Sequence, residues 1–177
     1  EVVSAPGVLV PPDKRGIGMV FQDFALFPHL TLLGNVTFGL RRLGRPAALA
    51  QARAALKRVG LGEREKDYPH MLSGGQQQRL ALARSIAPRP GILMLDEPFS
   101  SLDARLRETV RTETLAVLRE THATTIIVTH DPEEAMLLGD RVALLRAGRI
   151  AQIDTAAAIY RAPVDLSAAR FFSRLNE

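Results

Sequence analysis

The sequence ILMLDE at Ile92–Glu97 decides the fold, because four apolar residues in a row lead directly into two acids. A short run of this kind is typical of a strand that is covered on both faces of a parallel sheet. A second run, TTIIVT at Thr124–Thr129, is rich in β-branched residues, which favour strands. Between the two runs, apolar residues recur at helical spacing: Leu102, Leu106, Val110, Val117 and Leu118. Strand, helix and strand form a βαβ unit, whose right-handed crossover makes the two strands parallel.

Polar residues follow both strands of this unit. Asp96 and Glu97 end the first strand, and His130 comes directly after the second. Because parallel strands end at one edge of a sheet, where open α/β sheets bind ligands, we expect these side chains to be neighbours. An aspartate at a strand end suits Mg²⁺, and a glutamate beside it suits polarisation of a water molecule. Asp96 could instead merely cap the turn after its strand, and a lone histidine is usually structural.

A glycine pair lies upstream, in the stretch LSGGQQQR at Leu72–Arg79. Ser73 and Gln76 have the spacing of a capping box, which predicts the start of a helix and by itself is a structural feature. Capping does not call for Gly74 and Gly75, since each glycine costs a helix about 1 kcal/mol relative to alanine. Two glycines at a helix entrance indicate close approach of a ligand to the backbone, and exposed N–H groups with the helix dipole suit a phosphate.

The remaining elements are predicted from local signals. Short strands are expected at Val8–Val10 and Gly16–Phe21, and Gln22 after the second strand could reach a metal or a water molecule. Thr31 can cap a helix that runs to about residue 43, and Pro46 begins another that ends near residue 60.

The C-terminal part predicts a helix, a hairpin and two further short helices. Asp131 is a helix cap, Pro132 suits the first helical position, and Glu134 is the expected capping-box partner. Ala147 and Gly148 mark the turn of a hairpin.

Composition excludes several classes of protein. The chain has 177 residues, of which 46% are hydrophobic and 24% charged, as in ordinary globular domains. No stretch approaches the roughly 18 unbroken apolar residues of a membrane helix. The absence of cysteine excludes a disulfide scaffold. The net charge is +4, and the basic residues are scattered among acidic ones. The chain has only two Tyr and no Trp to stack on bases. Both features favour a solvated surface over a nucleic-acid interface.

In combination these motifs resemble the nucleotide-binding subunit of an ABC transporter. The matching elements, in the family's order, are the Q-loop at Gln22, the signature motif at Leu72–Arg79, Walker B with its catalytic glutamate at Ile92–Glu97, the D-loop at Ser100–Asp103 and the switch histidine at His130. The stretch MVFQDFALFPH at Met19–His29 further resembles importer ATPases of the iron(III), spermidine/putrescine, sulfate and thiamine group. The stretch Asp131–Met136 does so too, although Pro132 stands where that group usually has a polar residue.

The resemblance implies an α/β fold with a P-loop NTPase-like parallel-sheet core. Residues 1–23 and 90–177 would form the core portion, which ends in a β-hairpin and short helices. Residues 24–89 would form an inserted α-helical lobe that carries the signature motif. The apolar segment 24–36 would lie near the site that receives the membrane subunits, although it is apolar enough to be plain core.

The resemblance also implies cofactors and residue roles. ATP and Mg²⁺ would be bound between two subunits paired head to tail. The partner's ATP would be held by Ser73, Gly74, Gly75 and Gln76, and Asp103 would report across the dimer. Within this subunit's own site, Asp96 and Gln22 would hold Mg²⁺, Glu97 would orient the attacking water, and His130 and Gln22 would sense the γ-phosphate.

The implied function is to energise import of a solute, with transmembrane permease subunits as partners and no nucleic acid. Such a subunit lies on the cytoplasmic face of the bacterial inner membrane. The family's P-loop, G-x-x-x-x-G-K-[ST], is absent, because none of the three lysines, Lys14, Lys57 and Lys66, has these neighbours. We therefore expect the chain to begin after the P-loop helix and to be inactive alone. A soluble ABC-type ATPase, or a non-catalytic half-domain that regulates a partner ATPase, remains an alternative.

Overall fold

The predicted sheet is present in the computed structural model, which describes residues 4–173. Strand β3 (Ile17–Val20) pairs in parallel with β4 (Ile92–Asp96), and β5 (Thr124–Val128) lies on the other side of β4. Helix α4 (Ala104–Thr121) connects β4 to β5. Ahead of this sheet, β1 (Ser4–Ala5) and β2 (Val8–Leu9) form a small antiparallel hairpin. The α/β class and the strand–helix–strand pattern are thus confirmed.

The chain divides into two units, one up to Ile126 and the other from Ile127 onwards. The division of the chain into a core portion and an inserted lobe remains a prediction.

Three helices of the first unit lie between β3 and β4 in the sequence, and they pack against one another. They are α1 (Leu32–Phe38), α2 (Arg45–Arg58) and α3 (Gly74–Ile86). As predicted, the Thr31 side chain caps α1 by accepting from the backbone N–H of Gly34 at 3.1 Å. Helix α1 ends at Phe38 rather than near residue 43, because the N–H groups of Leu40 and Leu43 turn back onto carbonyls only three residues earlier.

Helix α3 lies directly against β3. A Cβ atom on Gly18 would come within 2.7 Å of the Ser85 carbonyl oxygen, so this position of the strand has no space for a side chain. The Ser85 hydroxyl donates to the Met19 carbonyl at 2.7 Å. The most buried apolar residues of this unit include Val20, Leu80, Leu82, Leu93, Leu95 and Phe99, all at most 2% exposed.

The second unit contains helices around a two-stranded sheet. Its elements are α5 (Pro132–Leu138), β6 (Val142–Arg146), β7 (Arg149–Asp154), α6 (Ala156–Arg161) and α7 (Leu166–Ser173). The predicted hairpin is confirmed: Ala147 and Gly148 take positive φ angles of 46° and 73°, as a tight turn between twisted antiparallel strands requires. Ile159 and Phe172 form the buried centre. Among the helices described in either unit, none has both the length and the apolarity to span a bilayer.

Candidate functional site

The parallel pairing of β3 and β4 places Gln22 and Glu97 at one edge of the sheet. Val20 is paired with Leu95, so Gln22 and Glu97 each follow this pair by two residues. Asp96 is the last residue of β4. An amide and two carboxylates therefore lie along the edge at which parallel α/β sheets bind ligands, and their roles there remain predictions.

Glu97 takes a backbone conformation that is uncommon for a residue with a side chain. Its φ angle is 43°, in the left-handed region. The carbonyl of Glu97 accepts from the backbone N–H of Ser100 at 3.2 Å and from its hydroxyl at 2.9 Å, and this turn holds the strained residue in place. Such strain persists only where the surroundings enforce it, and it concentrates at active sites.

The donor set at this edge fits Mg²⁺ bound through few protein groups. Asp96 and Glu97 offer carboxylate oxygens and Gln22 an amide oxygen, which are the hard ligands that Mg²⁺ prefers. Within residues 4–173 there is no cluster of three or more His, Cys, Asp or Glu side chains suited to a metal ion. Mg²⁺ bound by one or two carboxylates usually takes its remaining ligands from water and phosphate oxygens, and Asp96, Glu97 and Gln22 suit this kind of site.

The glycine pair lies at the first turn of α3, as predicted. The hydroxyl of Ser73 accepts from the Gln76 N–H at 3.4 Å, and the Ser73 N–H donates to Gln76 Oε1 at 3.1 Å. This reciprocal pair completes the predicted capping box.

The two glycines have different environments. Gly74 is exposed, and a Cβ atom there would lie 3.4 Å from Leu102, an ordinary contact. Gly75 is buried, and a Cβ atom would lie 2.9 Å from Val110 and 3.2 Å from Leu106. Close packing against α4 is thus a sufficient reason for Gly75, whereas Gly74 leaves the backbone accessible from solvent.

Arg64 supports the signature motif through contacts that the sequence does not predict. Its Nη1 donates to Gln76 Oε1 at 3.0 Å, its Nη2 to the Met71 carbonyl at 3.1 Å and its Nε to Asp67 at 2.7 Å. Nothing in the sequence distinguishes Arg64 from the other polar residues of the linker before the motif, so its role could not be predicted.

Asp103 caps α4. Its Oδ1 accepts from the Leu106 N–H at 3.0 Å, and the residue is exposed. The structure thus gives Asp103 a local structural role, beside which its predicted role across a dimer remains a prediction.

His130 belongs to the second unit, two residues beyond the end of β5. It is exposed, and it is followed by the cap of α5, where Asp131 Oδ1 accepts from the N–H groups of Glu133 and Glu134. The Thr129 hydroxyl accepts from the Asp131 N–H at 3.0 Å and donates to Glu134 at 2.6 Å, so it connects the expected partners of the capping box. Proximity of His130 to Glu97 remains a prediction, because the two residues belong to different units.

Comparison with known proteins gives consistent matches. Residues 10–100 match the family model described as ABC transporter. The spermidine/putrescine import ATP-binding protein PotA of Thermobifida fusca is 47% identical over 169 residues, which cover 94% of this chain and 44% of the relative. The Fe(3+) ions import ATP-binding protein FbpC 2 of Rhizobium meliloti is 46% identical over 170 residues, or 95% of this chain and 43% of the relative.

A third relative, the sulfate/thiosulfate import ATP-binding protein CysA 2 of Chromobacterium violaceum, is 48% identical over 166 residues. That alignment covers 93% of this chain and 45% of the relative. The chain therefore spans a little under half the length of these curated relatives. The predicted resemblance to importer ATPases is confirmed by these matches.

Proposed function

We propose that this chain, which belongs to the ABC transporter family, forms part of the ATP-hydrolysing subunit of a solute importer. The observation that carries the proposal is the shared edge of β3 and β4, where Asp96 ends β4 and where Gln22 and the strained Glu97 follow the paired strands. The names of these relatives, all of them import ATP-binding proteins, support the direction of transport.

In this proposal Glu97 is the catalytic residue of the subunit's own site. Its carboxylate orients the attacking water and accepts its proton, and the fixed turn to Ser100 holds the residue in position. Asp96 and Gln22 hold Mg²⁺, and His130 and Gln22 contact the γ-phosphate. When bound, the ion neutralises charge on the phosphate oxygens.

The signature motif serves a second site. Helix α3 has 13 residues, and its first-turn N–H groups at Gly74 and Gly75 suit a phosphate. Ser73 and Gln76 complete this half-site. In a head-to-tail dimer these groups would bind the ATP of the other subunit, and Asp103 would signal across the interface.

The wider assembly follows from the family. The sheet portion, residues 1–23 and 90–177, would be an incomplete P-loop NTPase-like core, and residues 24–89 would be the helical lobe that meets the permease subunits. The protein would act at the cytoplasmic face of the bacterial inner membrane, peripherally, without nucleic acid. Because residues 1–177 contain no G-x-x-x-x-G-K-[ST] loop, this stretch would not hydrolyse ATP alone.

Two measurements test this function. Purification of the native gene product that carries these residues should recover it from the membrane fraction with polytopic permease proteins. Recovery from the soluble fraction without them would instead favour a soluble ABC-type ATPase.

Phosphate release by residues 1–177 alone should stay at background and be equal in the wild type and in Glu97→Gln. A Glu97-dependent rate of that chain would refute its inactivity.

A further inference from the structure

Arg84 on α3 reaches across to the loop that carries Gln22. Its Nη1 donates to the Ala25 carbonyl at 2.7 Å and its Nη2 to the Phe24 carbonyl at 2.9 Å. These two carbonyls lie 59 and 60 residues from Arg84 in the sequence. One guanidinium thus joins the signature helix to the Q-loop.

The loop that Arg84 holds is strained and contains Gln22. Phe24 and Ala25 both have left-handed backbones, with φ angles of 63° and 44°. The Phe24 N–H donates to the Phe21 carbonyl at 2.9 Å, which closes a turn around Gln22. Two successive non-glycine residues in this conformation persist only if their surroundings enforce it, and the carbonyls that they present are those bound by Arg84.

The chemistry of this contact needs an arginine. The planar guanidinium donates two hydrogen bonds in a fixed fork, whereas lysine is a point charge on a flexible stem. Arg84 is half-buried, and burial lowers the pKa of its guanidinium, which nevertheless stays charged. The Phe27 ring, 5.3 Å from the guanidinium carbon, packs along the same group.

The neighbouring residue strengthens the connection. The Ser85 hydroxyl bonds the Met19 carbonyl on β3, so successive residues of α3 hold the end of the strand and the turn that follows it. A shift of α3, whose N-terminus carries the glycine pair, would therefore carry the Gln22 turn with it.

We propose that Arg84 is a positioning residue that fixes the Gln22 turn to the signature helix and so sets the place of the Gln22 amide at the sheet edge. The inference rests on the proposed role of Gln22 in ATP hydrolysis. Arg84 itself would touch neither the nucleotide nor the metal.

Hydrogen exchange on the native gene product, measured without ATP, tests whether Arg84 holds the Gln22 turn, and this measurement needs no ATPase activity. In Arg84→Met the Phe24 amide should exchange at least about tenfold faster, while the Ala87 amide, bonded to the Ala83 carbonyl in α3, keeps its rate. In Arg84→Lys the exchange rate of the Phe24 amide should lie between the rates in the wild type and in Arg84→Met. Arg53→Met, which removes a bidentate contact to Glu65 on the surface, is the matched control and should leave Phe24 unchanged. Unchanged exchange at Phe24, or equal acceleration at Phe24 and Ala87, would overturn the proposal.

Kinetics of the native gene product in its transporter test whether Arg84 affects ATP hydrolysis through Gln22. Arg84→Met should lower kcat about 10- to 100-fold with little change in KM for ATP, because the turn is misplaced while nucleotide binding persists. In a Gln22→Ala background the same substitution should have no further effect on kcat. Additive losses would show that Arg84 does not act through Gln22. If Glu97→Gln left hydrolysis intact, the proposed function would fail, whereas the exchange result would stand independently.

Discussion

The position that a side chain of Gly75 would occupy lies 2.9 Å from Cγ2 of Val110 on α4. Valine is restricted at χ1, so it has little freedom to withdraw. The second glycine of the signature motif is therefore needed for helix packing, whatever ligand the backbone meets. The first glycine, Gly74, has no such constraint, because a Cβ atom there would only touch Leu102 at 3.4 Å.

Alanine substitutions should separate the two glycines. Gly75→Ala should lower the free energy of unfolding by about 1–3 kcal/mol, as overpacked cores do. Gly74→Ala should leave it unchanged or raise it by up to about 1 kcal/mol, because alanine favours the helix. Urea unfolding of both variants measures the difference. Equal effects at the two positions would contradict the packing role of Gly75.

Thr114 offers a stabilising substitution. The residue is 2% exposed, and within the described part of the chain its hydroxyl has no hydrogen-bond partner. An unsatisfied buried hydroxyl costs about 1–3 kcal/mol, so the nearly isosteric Thr114→Val should raise the free energy of unfolding by about 1 kcal/mol. Thr112→Val on the same helix is the control, because Thr112 is exposed and its hydroxyl donates to the Glu108 carbonyl. A stability gain at Thr112 but none at Thr114 would refute this explanation.

His122 ends α4 in a left-handed conformation, with φ at 53°. Glycine adopts this conformation without steric cost, so His122→Gly should stabilise the chain by about 1 kcal/mol. His122→Ala retains a Cβ atom and should give no such gain. Thermal unfolding of the two variants measures the effect. The same melting temperature for both would show that the backbone conformation at this position carries no cost.

Asp165 should make the stability of the second unit depend on pH in a narrow acid range. The guanidinium of Arg146 bonds both carboxylate oxygens, at 2.8 and 3.0 Å, and lowers the pKa of Asp165 from 3.8 to about 2. Because the folded pKa is the lower one, the stabilisation is complete above about pH 4 and is lost as the pH falls through about 2.

The measurement compares the unfolding of wild type and Asp165→Asn between pH 7 and pH 2. Asparagine can still accept from the Ala168 N–H, so the substitution mainly removes the charge. The difference in stability should be constant down to about pH 4 and then shrink. Asp154→Asn, in the same unit, is the control. A difference in stability between wild type and Asp165→Asn that increases as the pH falls would contradict the prediction.

The sequence predicted features whose signals are local. Thr31, Ser73 and Asp131 cap the helices that they were expected to cap, and the apolar run Ile92–Leu95 lies in the central strand β4. Capping and strand patterns depend on a few neighbouring residues, and this makes them readable without the fold.

Long-range contacts could not be predicted in this way. The contacts of Arg64 with Gln76 and of Arg84 with Phe24 and Ala25 join residues from 12 to 60 positions apart, and nothing in the local pattern marks either arginine. The end of α1 at Phe38 was not predicted either. The sequence after Phe38 does not by itself show that the N–H groups of Leu40 and Leu43 bond to carbonyls three residues earlier. The sheet-edge placement of Gln22, Asp96 and Glu97 could be predicted because polar residues at the ends of parallel strands come to one edge of the sheet, and the roles of these residues remain predictions.

The most direct test of the account is the steady-state rate of ATP hydrolysis by the native gene product in its transporter, measured for Glu97→Gln. Loss of the carboxylate that accepts the proton of water should lower kcat at least about 100-fold while ATP still binds. Glu108→Gln, at an exposed position of α4, should retain the wild-type rate. A Glu97→Gln rate equal to that of Glu108→Gln would contradict the assignment of Glu97 as the catalytic residue.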